Sequence, residues 1–232
     1  MKIFKKLLFK ILIFVFIILA LLTSIFIFLG YDYYSKSLAE KSLEDRISSI
    51  RQDGGFVKFD SLNKDYINAV IATEDHRFYE HGAIDFIAIA RAIFVNIKNG
   101  KLGEGGSTIT QQVAKNVCLS QEKSAIRKIA EIFVSYDLEK KYSKNEIFEL
   151  YVNTAYFGAG YYGIGQASNG YYNKNPKDLN LSESSMLAGI PNAPSVYAPT
   201  KNPNLAKQRQ AQVLNRMIEY GYISKEDADK IK

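Results

Sequence analysis

SAIRKIAEIFVSYDLEKKYSKNE, residues 124–146, decides the fold class. Ser124 to Lys141 reads as one long helix, with Ile126, Ala130 and Phe133 as its apolar stripe. Ser143, with Glu146 three residues on, forms a capping box that opens another helix at once. Outward from this junction the punctuation stays helical. Asp85 to Asn99 places Ile89, Ala92, Ile93 and Asn96 on related faces and is closed by Gly100. Ser107, after Gly105 and Gly106, is a suitable N-cap. Asn202-Pro203 begins a helix that Gly221 ends. No sustained alternation of apolar and polar residues argues for a sheet. The expected class is all-α and two-lobed, because glycine-rich segments at 100–106 and 158–170 break the helical runs.

The N-terminus follows a different logic. Lys2, Lys5, Lys6 and Lys10 precede Ile11 to Leu29, a run whose only polar members are Thr23 and Ser24. As a helix it covers about 28 Å, close to the roughly 30 Å hydrocarbon core of a bilayer. Lysines before the run predict a cytoplasmic N-terminus and an outer location for the rest. A cleaved signal peptide is the rival, but no small-x-small cleavage pattern follows. The predicted organisation is a cytoplasmic tail and transmembrane anchor at 1–30, a stalk at 31–60 and one folded domain at 61–232.

The anchor changes what the composition means. Of the formal charge of +6, four units are the lysines of residues 1–30, which hold no acids, so the outer part is nearly balanced. That argues against a nucleic-acid partner. A single cysteine, Cys118, excludes an internal disulfide and reads as core packing. With only His76 and His81 beside it, a structural zinc site is not expected.

Three constellations carry chemistry. ATEDHRFYEHGAIDF, residues 72–86, sets Glu74 and Asp75 at the end of the apolar stretch INAVIA; desolvation there raises a carboxylate's proton affinity, as a general base requires. The same residues also read as a solvated helix end rich in ion pairs. GEGGSTITQQVAKN, residues 103–116, places glycines before a helix start whose bare amides suit phosphate, and puts Thr108, Gln111, Gln112 and Lys115 on one polar face. KSAIRKIAEIF, residues 123–133, strings Lys123, Arg127 and Glu131 along one stripe. On its own that stripe is an ordinary i, i+4 ion pair or a cationic strip for a diphosphate.

Together with SKNEIFELYVNTAYFGAGYYGIGQAS and LSESSMLAGIPNAPSVYAP, these strings stand in the order that glycosyltransferase family 51 shows, over roughly residues 60–222. The chain resembles the peptidoglycan glycosyltransferases of that family, either single-function enzymes or the first domain of bifunctional penicillin-binding proteins. The resemblance implies a lysozyme-like fold and polymerisation of lipid II with inversion at the donor anomeric carbon. It implies Glu74 as general base, with Asp75 and Phe78 completing its signature, and Glu131 as second carboxylate. Ser107, Thr108, Gln111, Gln112 and Lys115 fall on the substrate-binding helix, and Lys115, Lys123 and Arg127 form the expected diphosphate clamp. No cofactor is expected to be required; a divalent cation, Mg2+ or Mn2+, is expected only as an aid at the diphosphate. Expected partners are lipid II, the growing lipid-linked glycan, the membrane and cell-wall synthesis proteins, on the extracytoplasmic face of a bacterial cytoplasmic membrane.

Two departures stand out. Gly82 follows His81 directly, one place earlier than the family's H-x-G-x-D, and Lys123 stands where many relatives carry arginine. The lysine keeps the charge but loses the bidentate fork. Two rivals remain: a lysozyme-like enzyme that cleaves glycan with the same two glutamates, and a non-catalytic anchored scaffold. A transpeptidase is set aside, because the S-x-x-K matches at Ser61–Lys64 and Ser120–Lys123 have no K-T-G partner.

Overall fold

The computed structural model describes residues 2–100, 105–120, 122 and 124–231. Its helices in chain order are α1 (Lys2–Glu40), α2 (Leu43–Arg51), α3 (Lys64–Glu74), α4 (Phe86–Asn99), α5 (Ile109–Cys118) and α6 (Ala125–Lys141), followed by α7 (Lys144–Thr154), α8 (Gly163–Tyr172), α9 (Leu181–Gly189), α10 (Pro194–Tyr197), α11 (Pro203–Glu219) and α12 (Lys225–Asp229). Among the described residues the only strand-like pairing is an isolated bridge between Tyr156 and Tyr162. The chain is all-α, as its punctuation predicts.

The termini form where side chains can satisfy orphan amides. Ser124 Oγ accepts from the Arg127 amide to open α6, and Ser143 with Glu146 makes the expected reciprocal box on α7. Asp85 caps α4, which Gly100 closes in the left-handed region at φ 61°. Asn180 and Glu183 form a further box on α9.

Two helical groups share one core. α3, α9 and α11 pack on one another, and α5 packs on α6 and α7. Tyr66, Phe78, Ile109, Leu138, Phe148, Tyr151 and Phe157 are among the side chains fully buried between them. Residues 31–60, expected as a stalk, supply Leu43 and Ile47 to this core, each nearly inaccessible. Asn153 also clamps the segment by exchanging 2.8 Å hydrogen bonds with both backbone groups of Val57. Cys118 is buried and its thiol is pushed up to about 11 by burial, in keeping with a packing role.

α1 is long and apolar enough to cross a membrane, and its large apolar side chains from Phe4 to Leu29 are exposed. Beyond that run the same helix docks on α6. Gly30 is the contact point: a Cβ there would lie 2.4 Å from Ile129 Cγ2 and 3.3 Å from the Ile126 carbonyl. Tyr31 and Tyr34 then flank Phe133 at centroid distances of 5.4 and 5.6 Å, and Tyr34 Oη donates to Asp137 at 2.6 Å. Overpacking this seam costs about 1–3 kcal/mol. Gly30→Leu is therefore expected to lower the thermal-unfolding midpoint of the detergent-solubilised protein. Gly82→Ala, where a Cβ meets nothing within 4 Å, serves as the control and should leave the midpoint unchanged.

Candidate active site

Glu74 and Asp75 are adjacent in sequence and do opposite things. Glu74 is the last residue of α3, while Asp75 leaves helical geometry at φ −161°. Asp75 Oδ2 accepts the Ile109 amide at 3.0 Å, so it satisfies the first turn of α5 and docks that helix against the end of α3. One turn along, Gln112 Nε2 donates to Glu74 Oε2 at 2.8 Å. The other Glu74 oxygen, Oε1, is buried without a hydrogen-bond partner, 3.9 Å from Arg209 Nη2 on α11. Burial raises the proton affinity of Glu74, and the Gln112 hydrogen bond and the Arg209 charge pull it partly back down. The result is a carboxylate anchored at one oxygen and without a hydrogen-bond partner at the other.

Asp75 is itself held by a histidine. His81 Nε2 lies 2.7 Å from Asp75 Oδ1, and His81 Nδ1 lies 2.7 Å from the Gly82 carbonyl oxygen. Both neighbours are acceptors, so the arrangement favours hydrogen on both ring nitrogens and the protonated form of His81. Burial works against that charge, yet the Asp75 hydrogen bond and charge outweigh it and the net shift is upward. Asp85, close by, is gripped by Arg77 through Nε at 2.9 Å and Nη2 at 3.1 Å. Asp75, His81 and Asp85 are close enough to offer ligand atoms to one ion. Their oxygens are already taken by Arg77, His81 and the amides of Ile87, Ala88 and Ile109, so the group works as a polar knot and no metal role is assigned to it.

The start of α5 differs from expectation. Thr108, not Ser107, is the N-cap: its hydroxyl accepts the Gln111 amide, and Gln111 Oε1 accepts the Thr108 amide. Thr108 Oγ1 also donates to the Ala83 carbonyl at 2.9 Å. The box folds Gln111 back into the protein, so Thr108 and Gln111 are buried while Gln112 and Lys115 face a cavity. The expected single polar face is thus divided. Two amides read as bare for phosphate, those of Ile109 and Gln111, already have acceptors. Ser107 instead accepts from Lys128 Nζ at 2.8 Å, tying the α5 entrance to α6.

On α6 the Arg127–Glu131 part of the predicted stripe is present, with Glu131 buried. Arg127 Nη1 meets Glu131 Oε2 at 2.5 Å, and Lys128 Nζ closes on Oε1. Glu131 is 3% exposed, so this is not a surface pair. Arg127 Nε is buried with no acceptor. Lys115 is the link: burial lowers its proton affinity, Glu131 and Glu74 raise it, and Arg127 and Lys128 lower it. Both carboxylates therefore act on one lysine.

Two cavities meet here. One of about 790 Å³ is lined by Gln112, Lys115, Asn116, Tyr151 and Asn192. The other, of about 320 Å³, holds Glu74, His76, Arg91, Arg209 and Arg216, and Asn192 lines it too. Gln112, bonded to Glu74, spans the boundary.

A model of the family described as Transglycosylase matches residues 42–218. The chain belongs to the transglycosylase family. Its relatives include penicillin-binding protein 1A of Neisseria flavescens, 48% identical over 75% of this chain and 22% of that protein. Penicillin-binding protein 1F of Bacillus subtilis is 42% identical over 84% of this chain and 27% of that protein. A putative transglycosylase of Cupriavidus necator is 43% identical over 80% of both chains. This chain therefore spans about a quarter of the penicillin-binding proteins it matches.

Against the transglycosylase pattern, Lys123 lies outside the described residues. Phe78 is fully buried against Tyr79 and Phe148, with Lys144 over its ring, so it braces the Glu74 segment from behind. Sequence reasoning missed Arg209, which reads as an ordinary polar position on α11, and the His81 partnership; only a run of ionisable residues after Asp75 hinted at the latter.

The Asp75 knot generates a two-part prediction. Asp75→Ala leaves a buried amide and an imidazole unpaired and is expected to destabilise the fold by about 1–3 kcal/mol in denaturant unfolding. His81, followed by NMR titration, should fall in the same variant. In the unaltered chain the imidazolium contribution is fully present below about pH 6.5. It fades as pH rises through the higher folded-state value.

Proposed function

We propose that this chain is a peptidoglycan glycosyltransferase that polymerises lipid II into glycan strands. The observation that carries the reading is Glu74 itself, a largely buried carboxylate held by Gln112 through one oxygen, with no hydrogen-bond partner on the other. Membership of the transglycosylase family supplies the substrate class.

The acceptor's 4-hydroxyl gives its proton to Glu74 Oε1 as its oxygen attacks the donor anomeric carbon. A new C–O bond forms on the face opposite the leaving group, and the old bond breaks with its electron pair going to the polyprenyl diphosphate. The configuration inverts. Charge develops on the departing phosphate, and Lys115 and Arg127 meet it, with Lys123 completing the clamp on the strength of the sequence pattern. Glu131 keeps Arg127 and Lys128 in place rather than moving a proton. The protein's own cations supply the charge the leaving group needs, so no resident cofactor is assigned; Mg2+ or Mn2+ would join through the diphosphate oxygens.

Position relative to the bilayer supports the same reading. Gly30, the first residue after the apolar run, touches Ile126 and Ile129, and Arg127 stands between them on α6. The proposed clamp therefore lies at the level where the anchor leaves the hydrocarbon, where a lipid-linked diphosphate sits. The exposed Phe86, Ile87, Phe94 and Ile97 of α4 extend an apolar surface that suits the same interface. We place the N-terminus in the cytoplasm and the catalytic domain outside, at a bacterial cytoplasmic membrane, with the growing glycan strand and cell-wall synthesis proteins as partners.

Glu74→Gln should fold and bind lipid II but polymerise labelled lipid II about 10²-fold or more slowly. Near-normal glycan synthesis by that variant would remove Glu74 as the base. Lys115→Ala should raise the lipid II concentration needed for half-maximal rate while leaving the unfolding midpoint in place. Incubation with finished glycan separates synthesis from cleavage: release of fragments would favour a hydrolase.

A further inference from the structure

Arg209 is built into its place with more care than a helix surface residue needs. Its Nε donates to the Gly189 carbonyl at 3.3 Å, and Nη1 donates to Gln212 Oε1 at 3.0 Å. Its guanidinium lies 5.8 Å from the centroid of the Tyr197 ring. Gly189 makes room for the stem: a Cβ there would stand 2.9 Å from Arg209 Cγ. Three elements, α9, α10 and α11, thus fix one cation. What that cation faces is Glu74 Oε1, the buried oxygen without a hydrogen-bond partner, at 3.9 Å.

We propose that Arg209 is a positioning residue for the transfer reaction, a fixed counter-charge that keeps the open oxygen of Glu74 ionised and ready for the acceptor hydroxyl. The separation matters. At 3.9 Å the guanidinium acts on the carboxylate through charge without occupying the lone pair that must take the proton. Gln112 holds the opposite oxygen and offsets part of the burial through its hydrogen bond, while Arg209 adds a full charge on the side Gln112 does not reach.

The other groups around Glu74 cannot do this job. Tyr66 on α3 and Tyr151 on α7 are buried phenols, both pushed well up by burial and both further raised by the Glu74 charge. Asp75 is a second negative charge, engaged by His81 and the Ile109 amide. Lys115 on α5 is divided between Glu74 and Glu131. From α9, Glu183 is paired with Lys174 instead. His76, Arg91 and Arg216 share the cavity, with His76 stacked on Tyr220 at 4.3 Å and held below the usual imidazole range by burial and by Arg91. Arg209 is the cation that meets the free oxygen.

The inference rests on Glu74 being the base, and the test separates the two. The rate of lipid II polymerisation is measured against pH for the full chain in detergent and for Arg209→Gln, Arg209→Lys, Gly189→Ala and Glu74→Gln. Below its folded-state value Glu74 is protonated and inactive, so the rate falls on the acid side. Removing the counter-charge raises that value, so Arg209→Gln should move the acid limb upward by about 1–3 pH units, with much of the rate recovered at high pH. Arg209→Lys keeps a charge and should hold the limb near its original place. Gly189→Ala, which displaces the stem but keeps every ionisable group, should move it the same way by less, and serves if Arg209→Gln does not fold. An unmoved limb in Arg209→Gln or Gly189→Ala, in an enzyme that Glu74→Gln inactivates, overturns the role of Arg209 alone. Activity retained in Glu74→Gln overturns the base assignment and this proposal with it.

Discussion

A base in a buried site must be shielded enough to want a proton and still be ionised enough to take one. Burial pushes Glu74 toward the neutral acid. The structure answers by bringing three helices to one carboxylate: α3 delivers it, α5 anchors one oxygen through Gln112, and α11 sets Arg209 beside the other. Much of the remaining architecture serves to make those helices meet. Asp75 fastens the start of α5, His81 fastens Asp75, and Phe78 wedges the turn against the core from below.

The second constraint is depth. A site for a lipid-linked substrate has to stand at a fixed height above the bilayer, and a flexible tether would not provide that. α1 runs without interruption from its apolar stretch into the seam with α6. Gly30 lets the two backbones approach, and the Tyr31, Tyr34 and Phe133 cluster locks the rotation of one helix against the other. Because α6 also carries Arg127, Lys128 and Glu131, anchor and proposed clamp move as one body.

Local chemistry was legible in the sequence and long-range partnership was not. Ser143–Glu146, Gly100 and Asn202-Pro203 announce helix ends because the residues that make a cap lie within one turn of each other. The Arg127–Glu131 pair was readable for the same reason, although its burial was not. Thr108 displaced Ser107 as the cap because Ala83 and Gln111 both reach the threonine, and Ala83 is distant in sequence. Arg209 was invisible because nothing near it on α11 shows that Gly189, Tyr197 and Glu74 converge there. Leu43 and Ile47 looked like stalk residues, since two apolar side chains on a short charged helix do not reveal the surface they cover.

The two glutamates show how one residue type is assigned two tasks by its surroundings. Both oxygens of Glu131 are taken, one by Arg127 and one by Lys128. Glu74 has one neutral donor on one oxygen and a cation beyond hydrogen-bond reach of the other, so taking a proton breaks no ion pair in contact. Lys115 lies under the charge of both carboxylates. The proposed distinction between base and scaffold rests on which lone pairs are occupied.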